Sequence, residues 1–275
     1  MAAVFVGAIV WTWWRTGGDV VPSRDEGAQA VPLLGMAAAA AIALGIARLL
    51  PPRLPTLVPR LKDRSDVVTE VAVLLLCAAA FPLTALIPGP PEDYVLWKVV
   101  LLVLVPAGYL AWRRRRRGPS VEILRPQHRF PVWLWALLPA ALYVVLTQFG
   151  PLAPAAPTGW PDPVTLAVAA TVTALTAGVG EELFYRYWMQ SRLEAVAGRW
   201  MGILVTSLVF GLVHLGSHGA GLGVDLRIAT VIASQGVFGV VVGYLWSRYR
   251  RFWVCVLLHV AVNGTLVVLH LLGLA

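Results

Sequence analysis

Residues 163–189 read PVTLAVAATVTALTAGVGEELFYRYWM, an apolar stretch that carries three charged side chains near its end, Glu181, Glu182 and Arg186. A segment of this length and composition is typical of a membrane-spanning helix. An ionisable group inside a membrane costs a few kcal/mol or more, so it usually faces a partner or a water-filled cavity and marks a functional site. The stretch therefore predicts a transmembrane helix that contributes charged groups to a buried site.

The rest of the chain is also apolar. Hydrophobic residues make up 59% of the 275 residues, charged residues only 13%, and the mean hydropathy is +0.75, far from the composition of soluble domains. We expect an all-α fold, a polytopic bundle of eight or nine membrane helices. The predicted spans are residues 31–50, 67–87, 95–112, 131–149, 163–189, 200–216, 226–246 and 252–273.

The first segment, residues 1–14, is the uncertain span. It lacks the basic start and the small-residue cleavage site of a removed signal peptide. We therefore expect either a short first span or a segment that lies at the membrane interface. The chain crosses the membrane nine times if this segment spans it and eight times if it does not. The orientation of the later spans is the same in both cases.

Basic residues account for the net charge of +8 and the pI near 10.1, and they cluster between the apolar segments. This placement indicates membrane topology by the positive-inside rule, and we expect no nucleic-acid partner. The run Arg113–Arg117 could bind nucleic acid or anionic lipid, but a run of Arg directly after an apolar span is most often a topological anchor. The chain is expected in the plasma membrane of a bacterium, with its site toward the cytoplasmic side.

A polar segment, residues 118–130, follows this run and is predicted to be a cytoplasmic loop. It separates residues 1–117, transmembrane helices of unknown role, from residues 130–273, where the candidate site lies. Cys77 and Cys255 both fall inside apolar segments and show no metal or redox spacing, so we expect two small buried residues.

Two further apolar segments offer partners for Glu181. One carries Phe210 and His214, the other His259 and Asn263, and each i, i+4 spacing puts both side chains on one helix face. At 1.5 Å per residue, Glu181 lies roughly 12 Å, His259 roughly 10 Å, Asn263 roughly 16 Å and His214 roughly 20 Å from the basic inner end of its span. We therefore expect these groups to converge on one cavity.

Helix packing is expected to turn Glu181 inward, because small residues lie on or near its face of the helix, namely Ala174, Ala177 and Gly178. Glu182 and Arg186 have the i, i+4 spacing of an ion pair. Such a pair could serve only helix packing, but this would leave Glu181 unexplained.

Three motifs on separate spans, Glu181-Glu182-x-x-x-Arg186, Phe210-x-x-x-His214 and His259-x-x-x-Asn263, resemble those of the CAAX protease and bacteriocin-processing (CPBP) family of intramembrane proteases. This family includes the Ras-converting CAAX endopeptidases. The resemblance covers about residues 130–273 and implies a membrane core that hydrolyses peptide bonds of membrane-associated protein substrates within the lipid bilayer.

The resemblance also implies roles for the matching residues. Glu181 and His214 would activate a water molecule, and His259 and Asn263 would stabilise the oxyanion. The supporting residues would be Glu182, Arg186 and Phe210. These roles agree with the chemistry of peptide hydrolysis, which needs a base for water and donors where negative charge develops.

Metal dependence is open, since such proteins are described both as metalloproteases and as glutamate proteases. Glu181, His214 and His259 could hold zinc with water as the fourth ligand. The chain has no HExxH helix, the most specific zinc-protease signal. We favour a metal-free mechanism without a cofactor, with zinc as the alternative.

Two other functions use the same residues. Glu181 and the two histidines could relay protons in a proton-coupled transporter, or the bundle could be a non-proteolytic membrane scaffold. Transporters often show two pseudo-symmetric halves, whereas the buried polar groups singled out above lie in one half. A complete set of Glu, His and Asn side chains argues against an idle scaffold.

Overall fold

A computed structural model of the chain describes residues 1–21, 30–50, 58–90, 92–124, 132–149, 153, 159–217 and 222–274. Within these residues the chain forms nine helices, and every predicted span coincides with one of them. The helices are α1 (Ala2–Thr16), α2 (Leu33–Leu49), α3 (Arg64–Leu86), α4 (Asp93–Arg117), α5 (Val132–Gln148), α6 (Pro163–Ala197), α7 (Arg199–Gly216), α8 (Val224–Tyr249) and α9 (Phe252–Leu271). The predicted all-α class is confirmed.

Six of these helices, α3, α4 and α6 to α9, are long and apolar enough to cross a membrane. The chain is therefore an integral membrane protein. Helices α2 and α5 are apolar but shorter, and α1 has 15 residues and exposes Trp13 and Trp14. Eight or nine crossings stay a prediction.

Two short antiparallel strand pairs lie in the described segments between the helices. Strand β1 (Asp19–Val20) pairs with β2 (Val31–Pro32), and β3 (Arg60–Leu61) pairs with β4 (Val121–Glu122). The segment predicted as a polar loop after α4 thus pairs in part with the segment before α3. Residues 125–130 of that predicted loop lie outside the described residues.

Helix α8 is at the centre of the bundle. Of its most apolar stretch, 83% is buried, compared with 39% or less for each of the other five long helices. It packs against α1, α2, α7 and α9, and α7 and α9 in turn pack on α6. The contact with α7 is close, because a Cβ atom at Gly211 would lie 2.9 Å from the backbone oxygen of Val231. The four helices α6 to α9 therefore form one packed core.

Buried ion pairs attach α3 and α4 to this core and to each other. Glu70 of α3 accepts a hydrogen bond from Nε of Arg192 in α6 at 2.6 Å. Arg113 and Arg117 of α4 both bind Asp66 of α3. Part of the arginine run therefore has a tertiary role beyond the topological anchoring expected for it.

The helix that carries the two carboxylates has clear boundaries. Asp162 accepts hydrogen bonds from the backbone N–H groups of Val164 and Thr165 and so caps the first turn of α6. Hydrogen bonds from the side chain and the backbone of Thr165 lower the pKa of the Asp162 carboxyl. Gly198 ends the helix with a φ of 84°, a backbone conformation that residues with a Cβ atom rarely adopt.

Four π-helical segments interrupt the regular α-helical hydrogen bonding of the long helices, a feature common at functional sites. Two of them, Ala174–Glu181 and Leu183–Gln190, flank Glu182 in α6, and the others are Val100–Leu104 in α4 and Ile232–Gly236 in α8. Just before the carboxylates, Gly178 lies so close to Val260 of α9 that a Cβ atom would clash with this side chain. The absence of a side chain at Gly178 therefore lets α9 pack beside the carboxylates.

Candidate active site

A buried ion pair joins α4 to α6 at the site. Nζ of Lys98 lies 2.5 Å from Oε1 of Glu181. Only 8% of Lys98 and 3% of Glu181 is exposed, so each charge depends on the other for compensation. The second carboxylate oxygen, Oε2, has no hydrogen-bond partner among the described residues and lies 3.9 Å from Nε2 of His259.

Glu182 connects two helices through both of its carboxylate oxygens. Oε2 accepts a hydrogen bond from Nε of Arg186 at 3.0 Å, and Oε1 lies 2.7 Å from Nδ1 of His259. The predicted ion pair between Glu182 and Arg186 is confirmed, and its link to His259 goes beyond helix packing. Because a carboxylate only accepts hydrogen bonds, Nδ1 of His259 carries a proton and Nε2 faces Glu181.

Phe210 packs between the two histidines. Its ring centroid is 4.9 Å from that of His214 and 6.0 Å from that of His259, and the guanidinium of Arg186 lies 5.2 Å from it. Nδ1 of His214 donates a hydrogen bond to the carbonyl oxygen of Phe210 at 2.7 Å, so Nε2 holds the lone pair whenever the ring is neutral. Phe210 thus holds His214 on one side and His259, whose Nε2 faces Glu181, on the other.

Asn263 lies at the edge of this cluster. It is one helical turn beyond His259 on the same face of α9, and its side chain is exposed. The structure thus brings the other predicted residues together, with Glu181, Glu182 and His259 buried. This face of α9 therefore runs from the buried His259 to the exposed Asn263.

Lys98 was missed by the sequence reasoning. It is the only charged residue in the predicted span 95–112, and an isolated charge inside a membrane span is itself a sign of a functional site. The rule that singles out Glu181 would therefore have found Lys98. The pairing of Lys98 with Glu181 has no sequence signal, because the two residues meet only through the packing of α4 on α6.

The alternative zinc ligands, Glu181, His214 and His259, are not arranged as a metal site. Among the residues that the structure describes, no group of three or more His, Cys, Asp or Glu side chains could hold a metal ion. A zinc ion would need the negative charge of Glu181, but the ammonium of Lys98 already compensates that charge. These residues do not fit zinc as they stand, so the mechanism proposed for peptide hydrolysis uses protein groups alone.

Part of the chain matches the model of a known protein family. Residues 163–265 match the family model described as Type II CAAX prenyl endopeptidase Rce1-like. The chain contains an Rce1-like domain. This domain begins at the first residue of α6 and ends within α9, so it contains every residue proposed for catalysis.

The Rce1-like domain is shorter than the region expected from the motifs, because the match begins at residue 163 and leaves α5 outside it. Lys98 also lies outside the domain, although it binds Glu181 within it. No curated protein and no solved structure gives a significant match to the chain. The division into residues 1–117 and 130–273 stays a prediction.

Proposed function

We propose that the protein is an intramembrane endopeptidase that hydrolyses peptide bonds of membrane-associated proteins. The observation that carries this proposal is the convergence of His214 and His259 on the buried carboxylate of Glu181. The three residues belong to three different helices of the Rce1-like domain. A base for water and donors for an oxyanion are the groups that peptide hydrolysis requires.

Glu181 and His214 are the proposed bases for water. Lys98 compensates one carboxylate oxygen of Glu181, which leaves Oε2 as the basic atom. The hydrogen bond from Nδ1 of His214 to Phe210 leaves its Nε2 as a second acceptor. A water molecule held between such atoms would lose its proton to Glu181 as its oxygen attacks the substrate carbonyl.

His259 and Asn263 are the proposed oxyanion donors. Nε2 of His259 can donate only when both ring nitrogens carry protons, and the carboxylate of Glu182 at Nδ1 compensates that charge. The amide N–H of Asn263 donates in any state. Because Asn263 is exposed and His259 is buried, we propose that the scissile carbonyl approaches along this face of α9.

Lys98 is a positioning residue in this proposal. A carboxylate without a counter-charge inside a bundle is costly, and Lys98 removes that cost while directing Oε2 toward His259. Helix α4 would therefore complete a site whose other members lie in the Rce1-like domain. This gives the N-terminal half, of otherwise unknown role, a part in the reaction.

The substrate side of the proposal follows from the setting. A site within an integral membrane protein receives substrates that are themselves associated with the bilayer. We propose eight or nine crossings, with the site toward the cytoplasmic side of a bacterial plasma membrane. No nucleic acid and no cofactor is involved.

The test compares peptide termini in membranes of cells that express the wild-type protein, Glu181→Gln or Glu92→Gln at matched levels. Glu92 is an exposed carboxylate outside the site and serves as the control. We expect new termini with the wild-type protein and with Glu92→Gln, and none with Glu181→Gln. The same new termini in all three samples would overturn the proposed role of Glu181 in proteolysis. If no sample contained new termini, a scaffold or proton-coupled transporter would be favoured.

A further inference from the structure

A large cavity whose described lining residues are different from those of the candidate active site lies where basic residues cluster at the end of the bundle. Its volume is about 1040 Å³. Its walls come mainly from the end of α4, strand β4 and the residues around it, the second half of α6, the end of α8 and the start of α9. None of the described residues that line it belongs to the proposed catalytic set. The cavity therefore needs an explanation of its own.

One part of the cavity wall is apolar and faces the surroundings of the bundle. Leu110 of α4, Leu137 of α5 and Leu257 of α9 contribute to it. Leu257 is 57% exposed, and the neighbouring Trp253 is 65% exposed. Exposed Leu and Trp side chains on a membrane helix contact lipid chains and the interface, respectively. This wall can therefore receive an acyl chain from the bilayer.

The other part of the wall is cationic. Among the lining residues that the structure describes, five are Lys or Arg and two are Glu. Two of the five cations already have carboxylate partners, since Arg192 binds Glu70 and Arg250 binds Glu194. The remaining three are Lys62, Arg114 and Arg251.

Lys62, Arg114 and Arg251 form no ion pair with any residue that the structure describes. Nε of Arg251 is buried and has no hydrogen-bond partner among the described residues. Lys62 and Arg114 are exposed at the rim. The cavity thus has an excess of positive charge beside an apolar wall.

We propose that this cavity binds one anionic phospholipid, with its phosphate at Lys62, Arg114 and Arg251 and an acyl chain along Leu110, Leu137 and Leu257. Basic pockets between membrane helices on the cytoplasmic side bind the headgroups of anionic lipids. Free phosphate would satisfy the cations but would make no contact with the apolar wall. A phospholipid matches both parts.

Occupancy of this site would link the two halves of the chain, because Arg114 belongs to α4 whereas Arg251 and Leu257 belong to the Rce1-like domain. Anything that binds the folded protein alone stabilises it. The lipid site is independent of the proposed proteolysis, so its test needs no substrate.

The experiment uses delipidated full-length protein in detergent. Native mass spectrometry counts bound lipid, and thermal unfolding reports stabilisation, with phosphatidylglycerol, phosphatidylcholine of the same chains, and inorganic phosphate as separate probes. We expect one phosphatidylglycerol per chain, with a higher unfolding temperature, and weaker effects of the other two probes. Each cation near the membrane surface should contribute about a fivefold factor in affinity.

The decisive comparison is Arg114→Gln against Arg115→Gln. Both residues are exposed neighbours in the same arginine run, but only Arg114 lines the cavity. Arg114→Gln and Lys62→Gln should each weaken phosphatidylglycerol binding about fivefold, whereas Arg115→Gln should leave it unchanged. Equal losses for Arg114→Gln and Arg115→Gln would show only diffuse charge attraction and would overturn the site. Equal binding of phosphatidylcholine, or equal stabilisation by inorganic phosphate, would overturn the phospholipid.

Discussion

Replacing Lys98 with Met removes one partner of the buried ion pair that links α4 to the candidate active site. At the Nζ–Oε1 distance of 2.5 Å, and at an effective dielectric of about 20, the gross attraction is about 7 kcal/mol. Much of this offsets the cost of taking both charges out of water. Breaking such a pair by removing one partner typically costs about 3–5 kcal/mol, because a buried charge is left uncompensated. We expect Lys98→Met to lower the free energy of unfolding by about this amount.

A double-mutant cycle separates the pair from other effects of the substitutions. In Lys98→Met/Glu181→Gln both charges are gone, and replacing a whole buried pair by neutral groups is often close to neutral. The double variant should therefore lose much less stability than the two single variants together. Unfolding in mixed micelles, followed by circular dichroism under reversible conditions, measures all four proteins. Additive losses would show that the ion pair makes no such contribution, since they would mean that Lys98 and Glu181 do not interact.

Activity tests whether the pair also positions Glu181. Once a cleaved substrate is known, Lys98→Met should lower kcat about 100-fold, the scale of a general base, with little change in KM. Lys98→Arg, which keeps the charge, should recover part of this loss. The matched control is Arg113→Met, which removes another buried cation of α4 whose partner, Asp66, lies outside the site. A similar loss of kcat in the control would assign the effect to the packing of α4 instead.

Three other results are expected. Asn263→Ala should lower kcat about 100- to 1000-fold without unfolding the protein, since it removes one oxyanion donor at an exposed position; near-normal steady-state rates would remove Asn263 from the mechanism. Gly178→Leu should cost about 1–3 kcal/mol or more in a micelle unfolding assay, because its side chain must displace Val260, whereas Gly108→Ala, at a position with open space, should not. Treatment with a chelator should leave cleavage intact, because Lys98 compensates the carboxylate charge without a metal ion; activity lost on chelation and restored by zinc would contradict this expectation.

The positions of the helices could be predicted well from the sequence. Each predicted span coincides with a helix, because a helix that crosses a membrane must satisfy its own backbone hydrogen bonds over a continuous apolar segment. The ion pair between Glu182 and Arg186 could also be predicted from the sequence, since both residues belong to one helix and the i, i+4 geometry is local.

Contacts between distant segments could only be predicted in general terms. Depth along each span correctly suggested that Glu181 and His259 lie near one another, but it did not indicate that Glu182 would be the carboxylate that binds His259. Adjacent residues on a regular helix point in different directions, and the π-helical turns on both sides of Glu182 change that relation.

From the amino-acid sequence alone we could infer an all-α membrane protein, the location of its apolar helices, and the charged and imidazole groups within them. The packed structure was needed to find that Lys98 contacts Glu181, that Glu182 binds His259, and that basic residues from separate segments line one cavity. Helix formation depends on hydrogen bonds within a segment, whereas these contacts depend on how each helix is rotated and how closely it packs. Rotation and packing are set by the side chains of all neighbouring helices together.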